Sequence, residues 1–271
     1  MLFGIKLTRE RIAYSNERKN PLIGFKDILS NKYAWIVIVS EFLKAFRAIA
    51  NYMGVFLAAA LLGSTSKFLL FGLPTGIGTA VGMLVISRLL KKFNSKVLYI
   101  ASGIYSIIAN TCAFVVGYIY FTTENKSLQI VFIVFLFLIG LQFGASNLLP
   151  SMFQADVLET IELKTNKRLD ASLPFVISIG TLISDTIANH FAPIILYGEG
   201  ALGIIKYIQP TDLDPNPVQS TKTKILMLFF YTIVHGLMMF LAGVPYFFYK
   251  LTGKTKEDIH AAVIENRKKN Q

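Results

Sequence analysis

Residues 130–171 read IVFIVFLFLIGLQFGASNLLPSMFQADVLETIELKTNKRLDA. The first part belongs to a run, 127–155, with no Asp, Glu, Lys or Arg. Asp156, Glu159, Glu162, Lys164, Lys167, Arg168 and Asp170 then crowd into one short stretch. A hydrocarbon core about 30 Å thick takes roughly 20 apolar residues of helix. The uncharged run is long enough to cross it, and the charges behind it mark where the chain leaves lipid.

Working outward, the pattern repeats. Residues 68–87, 97–123 and 225–249 carry no charge, 171–198 holds only Asp185, and 34–62 is interrupted by Glu41, Lys44 and Arg47. Backbone in lipid must satisfy its own hydrogen bonds, so these blocks are helices. They do not alternate as the strands of a membrane barrel would. The reading is an all-α membrane protein. A six-helix bundle over 34–249 has spans at about 34–62, 68–87, 97–121, 128–154, 171–197 and 225–249. An N-terminal segment, 1–33, and a polar tail, 250–271, flank it.

Composition agrees. Of 271 residues, 54% are hydrophobic and 16% charged, against about 45–50% and 25% in soluble domains. Mean hydropathy is +0.54. The net charge of +11 does not call for nucleic acid, because the basic residues follow membrane topology. Outside the spans, twenty Lys and Arg fall on one side and five on the other. The positive-inside rule then places both termini in the cytoplasm, in a multi-pass protein of the cell membrane. The sole cysteine, Cys112, lies within a span and has no intrachain partner. MLFGIKLTRERIAY at the start lacks the apolar core and cleavage site of a signal peptide.

Some residues within the spans carry potential chemistry. With Leu62 at the outer end of the first span, 30 Å of helix reaches back to about Leu43. Glu41 then sits at the interface, Lys44 can snorkel, and Arg47 is roughly 6 Å inside. A charge at that depth normally faces a cavity or a partner. Asp185 lies mid-block in the fifth span. Asn51, Asn110, Gln142 and Asn147 are amides within spans, suited equally to solute contact and to hydrogen bonds between helices. His190 and His235 read first as hydrogen-bonded structural residues. Gly78 and Gly82, and Gly140 and Gly144, have the spacing that lets helices pack closely, and ordinary bundle packing is the first reading. There is no metal-ligand spacing and no enzyme motif, so neither an enzyme nor a resident cofactor is expected.

Asp156, Glu159 and Glu162 share a helix face continuing the fourth span. The plain reading is a solvated loop that keeps two helices from sinking. The sharper one is an ion-pair gate of Asp156, Glu159, Glu162, Arg168 and Asp170. The order D156-V-L-E159-T-I-E162-L-K164-T-N166-K-R168-L-D170 resembles the loop between the tenth and eleventh helices of the glycoside–pentoside–hexuronide:cation symporters. These form the melibiose-permease group of the major facilitator superfamily. VQST, 218–221, is similar to the segment before their last helix, and YKLTGKTKEDI, 249–259, to the tail after it. TRER, 8–11, resembles their central cytoplasmic loop, and SRLLKKFNSK, 87–96, fits their eighth-to-ninth loop.

The resemblance covers essentially the whole chain and implies the second bundle of a twelve-helix fold. It implies a small, sugar-like hydroxylated solute, an N-terminal six-helix half as partner, and coupling to H⁺ or Na⁺. In that family the loop contributes to a cytoplasmic charged network closing against the first bundle, with Asp156 and Arg168 in matching positions. Where many members carry a Lys in the eleventh helix, this chain has Leu182. A self-sufficient homodimer and an inactive remnant are the competing expectations.

Overall fold

A computed structural model describes residues 24–63, 68–167, 169–199, 202–212, 214 and 217–269. The TRER segment and Arg168 lie outside these residues. Among the described residues all regular structure is helical: α1 (Phe25–Leu29), α2 (Lys32–Ala45), α3 (Ala48–Leu62), α4 (Leu69–Leu89), α5 (Ser95–Thr123), α6 (Ser127–Thr165), α7 (Ser172–Tyr197), α8 (Thr221–Phe229), α9 (His235–Gly243) and α10 (Lys254–Lys269). A π-helical turn, Phe230–Val234, joins α8 to α9, and a 3₁₀ turn, Val244–Phe248, follows α9. Six segments are long and apolar enough to cross a membrane, as the uncharged blocks predict. The first comprises α2 and α3, and the sixth runs from α8 through the 3₁₀ turn.

Side chains at the helix ends fix where spans begin. The Asn31 carboxamide accepts from Tyr33 N–H, Asn94 from Val97 N–H, and Ser220 from Thr223 N–H, each satisfying a donor that the first turn leaves open. Gln219, within VQST, both accepts from Ile208 N–H at 3.0 Å and donates to Ile208 C=O at 2.7 Å. That pair pins the long loop before the sixth span.

The tightest seam is between α4 and α6. A Cβ on Gly78 would overlap the Phe137 carbonyl, and one on Gly82 the Leu141 carbonyl. From the other side, Gly140 abuts Thr75 and Gly144 abuts the Gly82 backbone. The two glycine stripes therefore pack against each other inside one bundle. Small residues let backbones approach where lipid supplies no hydrophobic drive.

Burial divides the interior into two apolar cores. One, toward the end bearing Asp156, includes Val37, Tyr99, Leu149, Phe153, Leu173 and Tyr246. The other, toward the opposite end, includes Met53, Phe71, Ala113, Leu136, Leu196 and Leu228. Nearly every span passes through both. Polar residues lie between them along the chain: Ser40, Glu41, Lys44 and Arg47 in the first span, Ser106 in α5, Gln142 in α6, Ser184 and Asp185 in α7, and Thr232 and His235 in the sixth. Outward faces carry large apolar residues such as Leu69, Leu84 and Ile130, as lipid contact requires.

Candidate functional site: a polar belt and a charged end

The belt is built around openings in helix hydrogen bonding. Between α2 and α3, Phe46 N–H bonds the Leu43 carbonyl at 3.3 Å instead of reaching back a full turn to Phe42. The freed Phe42 carbonyl accepts from the Ser184 hydroxyl of α7 at 2.7 Å. In α6, Pro150 has no N–H, so the Ser146 carbonyl loses its helical donor. Lys44 Nζ approaches that carbonyl at 3.4 Å. The Ser40 hydroxyl donates to the Ala242 carbonyl at 2.7 Å, just before the 3₁₀ turn. In each case a neighbouring span supplies the donor, as a buried carbonyl requires.

Lys44 also pairs with Glu41 at 2.5 Å, one helical turn away, and both side chains are largely enclosed. The second Glu41 oxygen, Oε1, has no hydrogen-bond partner among the described residues. Arg47 stands over the Phe143 ring at 5.0 Å, a cation–π contact. Glu41 and Asp185 are the carboxylates whose fields reach it. His235 meets the same Phe143 ring edge-on at 5.2 Å.

Beside Phe143 lies a cavity of about 150 Å³. Its polar lining comes from Asn51 of α3, Thr75 of α4, Asn110 of α5, and Tyr231 and His235 of the sixth span. Phe68, Phe71 and Phe143 give it aromatic walls. Asn110 donates to the Ser106 carbonyl at 2.8 Å, yet among the described residues its own Oδ1 has no partner, and neither has His235 Nε2. Both residues are at least 95% buried. Unpaired buried polar atoms are uncommon and costly.

The structure thus brings Asn51 and Asn110 to one cavity, with Arg47 behind its Phe143 wall. Gln142 is buried nearby in α6, its Oε1 without a partner among the described residues. Asp185 is half-buried on α7 outside the cavity lining, and Asn147 is exposed. Sequence reading did not single out Tyr231, Thr75 or Phe143. Each has an ordinary reading as core or helix-packing residue, and only the convergence of spans makes them neighbours.

At the charged end, α6 runs on past the apolar run with its three acids on one face, and α10 lies beside it. Asp156 pairs with Lys256 at 2.7 Å and accepts from the Tyr249 hydroxyl at 3.1 Å. Glu159 meets His260 at 2.8 Å. Glu162 takes Arg267 in a two-pronged grip, 2.7 Å to Nε and 2.6 Å to Nη2. Hydrogen bonding to Glu162 holds the Arg267 guanidinium above its usual pKa, with Glu159 and Asp170 adding to the negative field. Val263 and Ile259 dock the apolar face of α10. Asp170 is exposed just before α7, and Arg168 is outside the described residues.

Residues 3–253 match the family described as MFS/sugar transport protein. No curated protein matches the chain.

Proposed function

Since the chain belongs to the MFS/sugar transport protein family, whose members are transporters rather than enzymes, we propose that it is one six-helix half of a cation-coupled sugar-type symporter. Its partner is a second six-helix half. The solute is small and hydroxylated, coupling is to H⁺ or Na⁺, and access alternates between the two sides of the cell membrane. Both termini lie in the cytoplasm.

The observation that carries this reading is the polar belt. Intramembrane charges and amides are expensive in lipid and gather at solute pathways. Here Glu41, Lys44, Arg47, Gln142 and Asp185 sit mid-span between two apolar cores, beside openings in helix hydrogen bonding that neighbouring side chains fill, and Asn51 and Asn110 line the adjoining cavity. Arg47, Asn51, Asn110, Gln142, Asn147 and Asp185 are the residues assigned to that pathway. At the cytoplasmic end, Asp156, Glu159, Glu162, Arg168 and Asp170 form this half of a charged gate, with α10 holding the three α6 acids while the gate stands apart from its partner.

Uptake into proteoliposomes tests the proposal. The chain is reconstituted alone and with a six-span partner half, under an imposed Na⁺ or proton gradient, with labelled sugars outside. Gradient-driven uptake only in the two-component vesicles is the expected result. Equal uptake by the chain alone would replace the half with a self-sufficient homodimer. No uptake in either would end the transport reading.

A further inference from the structure

We propose that the turn between α4 and α5, together with the 3₁₀ turn that ends the sixth span, binds the phosphate of an acidic glycerophospholipid at the membrane surface. The proposal needs only that the bundle sits in a bilayer, and it stands apart from the transport reading. Arg88, Lys91, Lys92 and Lys96 place four cations within nine residues, and no Asp or Glu occurs between Glu41 and Glu124. A tight turn gathers them: Lys91 N–H bonds the Arg88 carbonyl at 3.2 Å, Lys92 N–H bonds the Leu89 carbonyl at 2.9 Å, and Asn94 then caps α5. Lys96 Nζ reaches across to the Phe247 carbonyl at 3.0 Å, which ties the cluster to the sixth span. A lysine ammonium has three donors, so two remain for an anion.

Charge argues for an anion from outside the protein. Arg88, Lys91 and Lys92 are exposed and take part in no ion pair among the described residues. α10, the other basic element at this end, is different: its Lys256 and Arg267 are met by Asp156 and Glu162 of α6. The surroundings argue for a lipid over a free ion or an acidic protein. Phe93, Val97, Phe247 and Phe248 flank the cations and are 49–73% exposed. Large apolar side chains beside unpaired cations suit the boundary between hydrocarbon and head groups, and basic pockets between spans hold the head groups of anionic lipids. A turn that only fixed topology would need the charges alone. The reach of Lys96 and the exposed phenylalanines would then be idle.

Lipid binding by the full chain in a neutral detergent tests this, with lipid added after purification so that membrane orientation plays no part. Dioleoyl phosphatidylglycerol, dioleoyl phosphatidylcholine and glycerol phosphate are titrated, and bound molecules are counted by native mass spectrometry. The expected result is phosphatidylglycerol bound over phosphatidylcholine, with glycerol phosphate unable to displace it at equal concentration. Each cation near an anionic lipid surface is worth about fivefold in affinity, so the Lys91→Gln/Lys92→Gln variant is expected to bind phosphatidylglycerol roughly 25-fold more weakly. Lys91 and Lys92 are exposed and unpaired, so that variant keeps the fold. Lys254→Gln/Lys268→Gln removes the same charge from exposed places on α10 and is expected to bind as the unaltered chain does. Equal binding of the two lipids, equal loss in the two variants, or no loss in Lys91→Gln/Lys92→Gln overturns the proposal. Displacement by glycerol phosphate also overturns it, leaving an anion site with no use for the phenylalanines.

Discussion

Lys44 does two jobs from one ammonium: it neutralises Glu41 and fills the carbonyl that Pro150 leaves open. Replacing it by Met leaves a buried carboxylate unpaired, a change that costs about 3–5 kcal/mol in comparable settings. Lys44→Met is therefore expected to lower the denaturation midpoint in detergent sharply, with Glu41→Gln added to it restoring much of the loss. A double variant no more stable than Lys44→Met would show that the carboxylate is not what makes the single change costly. Ser184→Ala removes the donor to the Phe42 carbonyl and is expected to cost about 1–3 kcal/mol, the penalty for an orphaned buried polar group. The charged residues of this belt were visible in the sequence, because an Arg or Asp in an apolar run stands out. Ser184 was not, since serine is commonplace in membrane helices and nothing in its neighbours announces a gap in another span.

Among the elements, the α4–α6 seam gives the cleanest paired test. A Cβ at Gly78 meets backbone, whereas one at Gly76 meets nothing within 4 Å. Gly78→Ala is expected to destabilise by about 1–3 kcal/mol through overpacking. Gly76→Ala is expected to be neutral or to gain a few tenths of a kcal/mol, from the higher helix propensity of Ala. Thermal melts of the two variants side by side decide it, and equal melts would dissolve the seam. The α10 contact is a different kind of joint. Its outer pairs, at Glu159 and Glu162, are partly exposed, so each is worth about 0–1 kcal/mol, and about 1 M salt shortens the screening length to roughly 3 Å. Hydrogen exchange across Lys254–Lys269 is expected to speed up in high salt and in Glu162→Gln, while exchange in the glycine seam stays as it was. Spacing gave the acids a common face on α6. What it could not give was their partner, because Lys256, His260 and Arg267 lie about a hundred residues away and read as an ordinary solvated tail.

At the scale of the whole molecule, six long apolar blocks and the placement of Lys and Arg made the architecture readable before any coordinates. The spans follow from the cost of exposing backbone to lipid, and that cost depends on composition alone. The break at Phe46 escaped, since neither Gly nor Pro marks it and its cause sits in α7. The cavity escaped for a related reason: five spans converge on it, and although Asn51, Asn110 and His235 stood out one by one, nothing in the sequence brings them together. Orientation is open to a direct check. With Cys112 replaced by Ala, a single cysteine at Glu199 is expected to react with a membrane-impermeant maleimide on intact cells, and one at Lys256 only after permeabilisation. The reverse pattern would turn the bundle over. The length of α6 carries one more consequence. At about 1.5 Å per residue its 39 residues span roughly 58 Å, nearly twice the hydrocarbon thickness. With Pro150 as a fulcrum, the stretch beyond it is a lever arm of about 22 Å. A tilt of about 10° there displaces Asp156 by under 2 Å but Glu162 by about 3 Å. The outermost grip, Glu162 on Arg267, would be the first to slip and Asp156 on Lys256 the last, so the ladder would open from its tip toward the membrane like a zip.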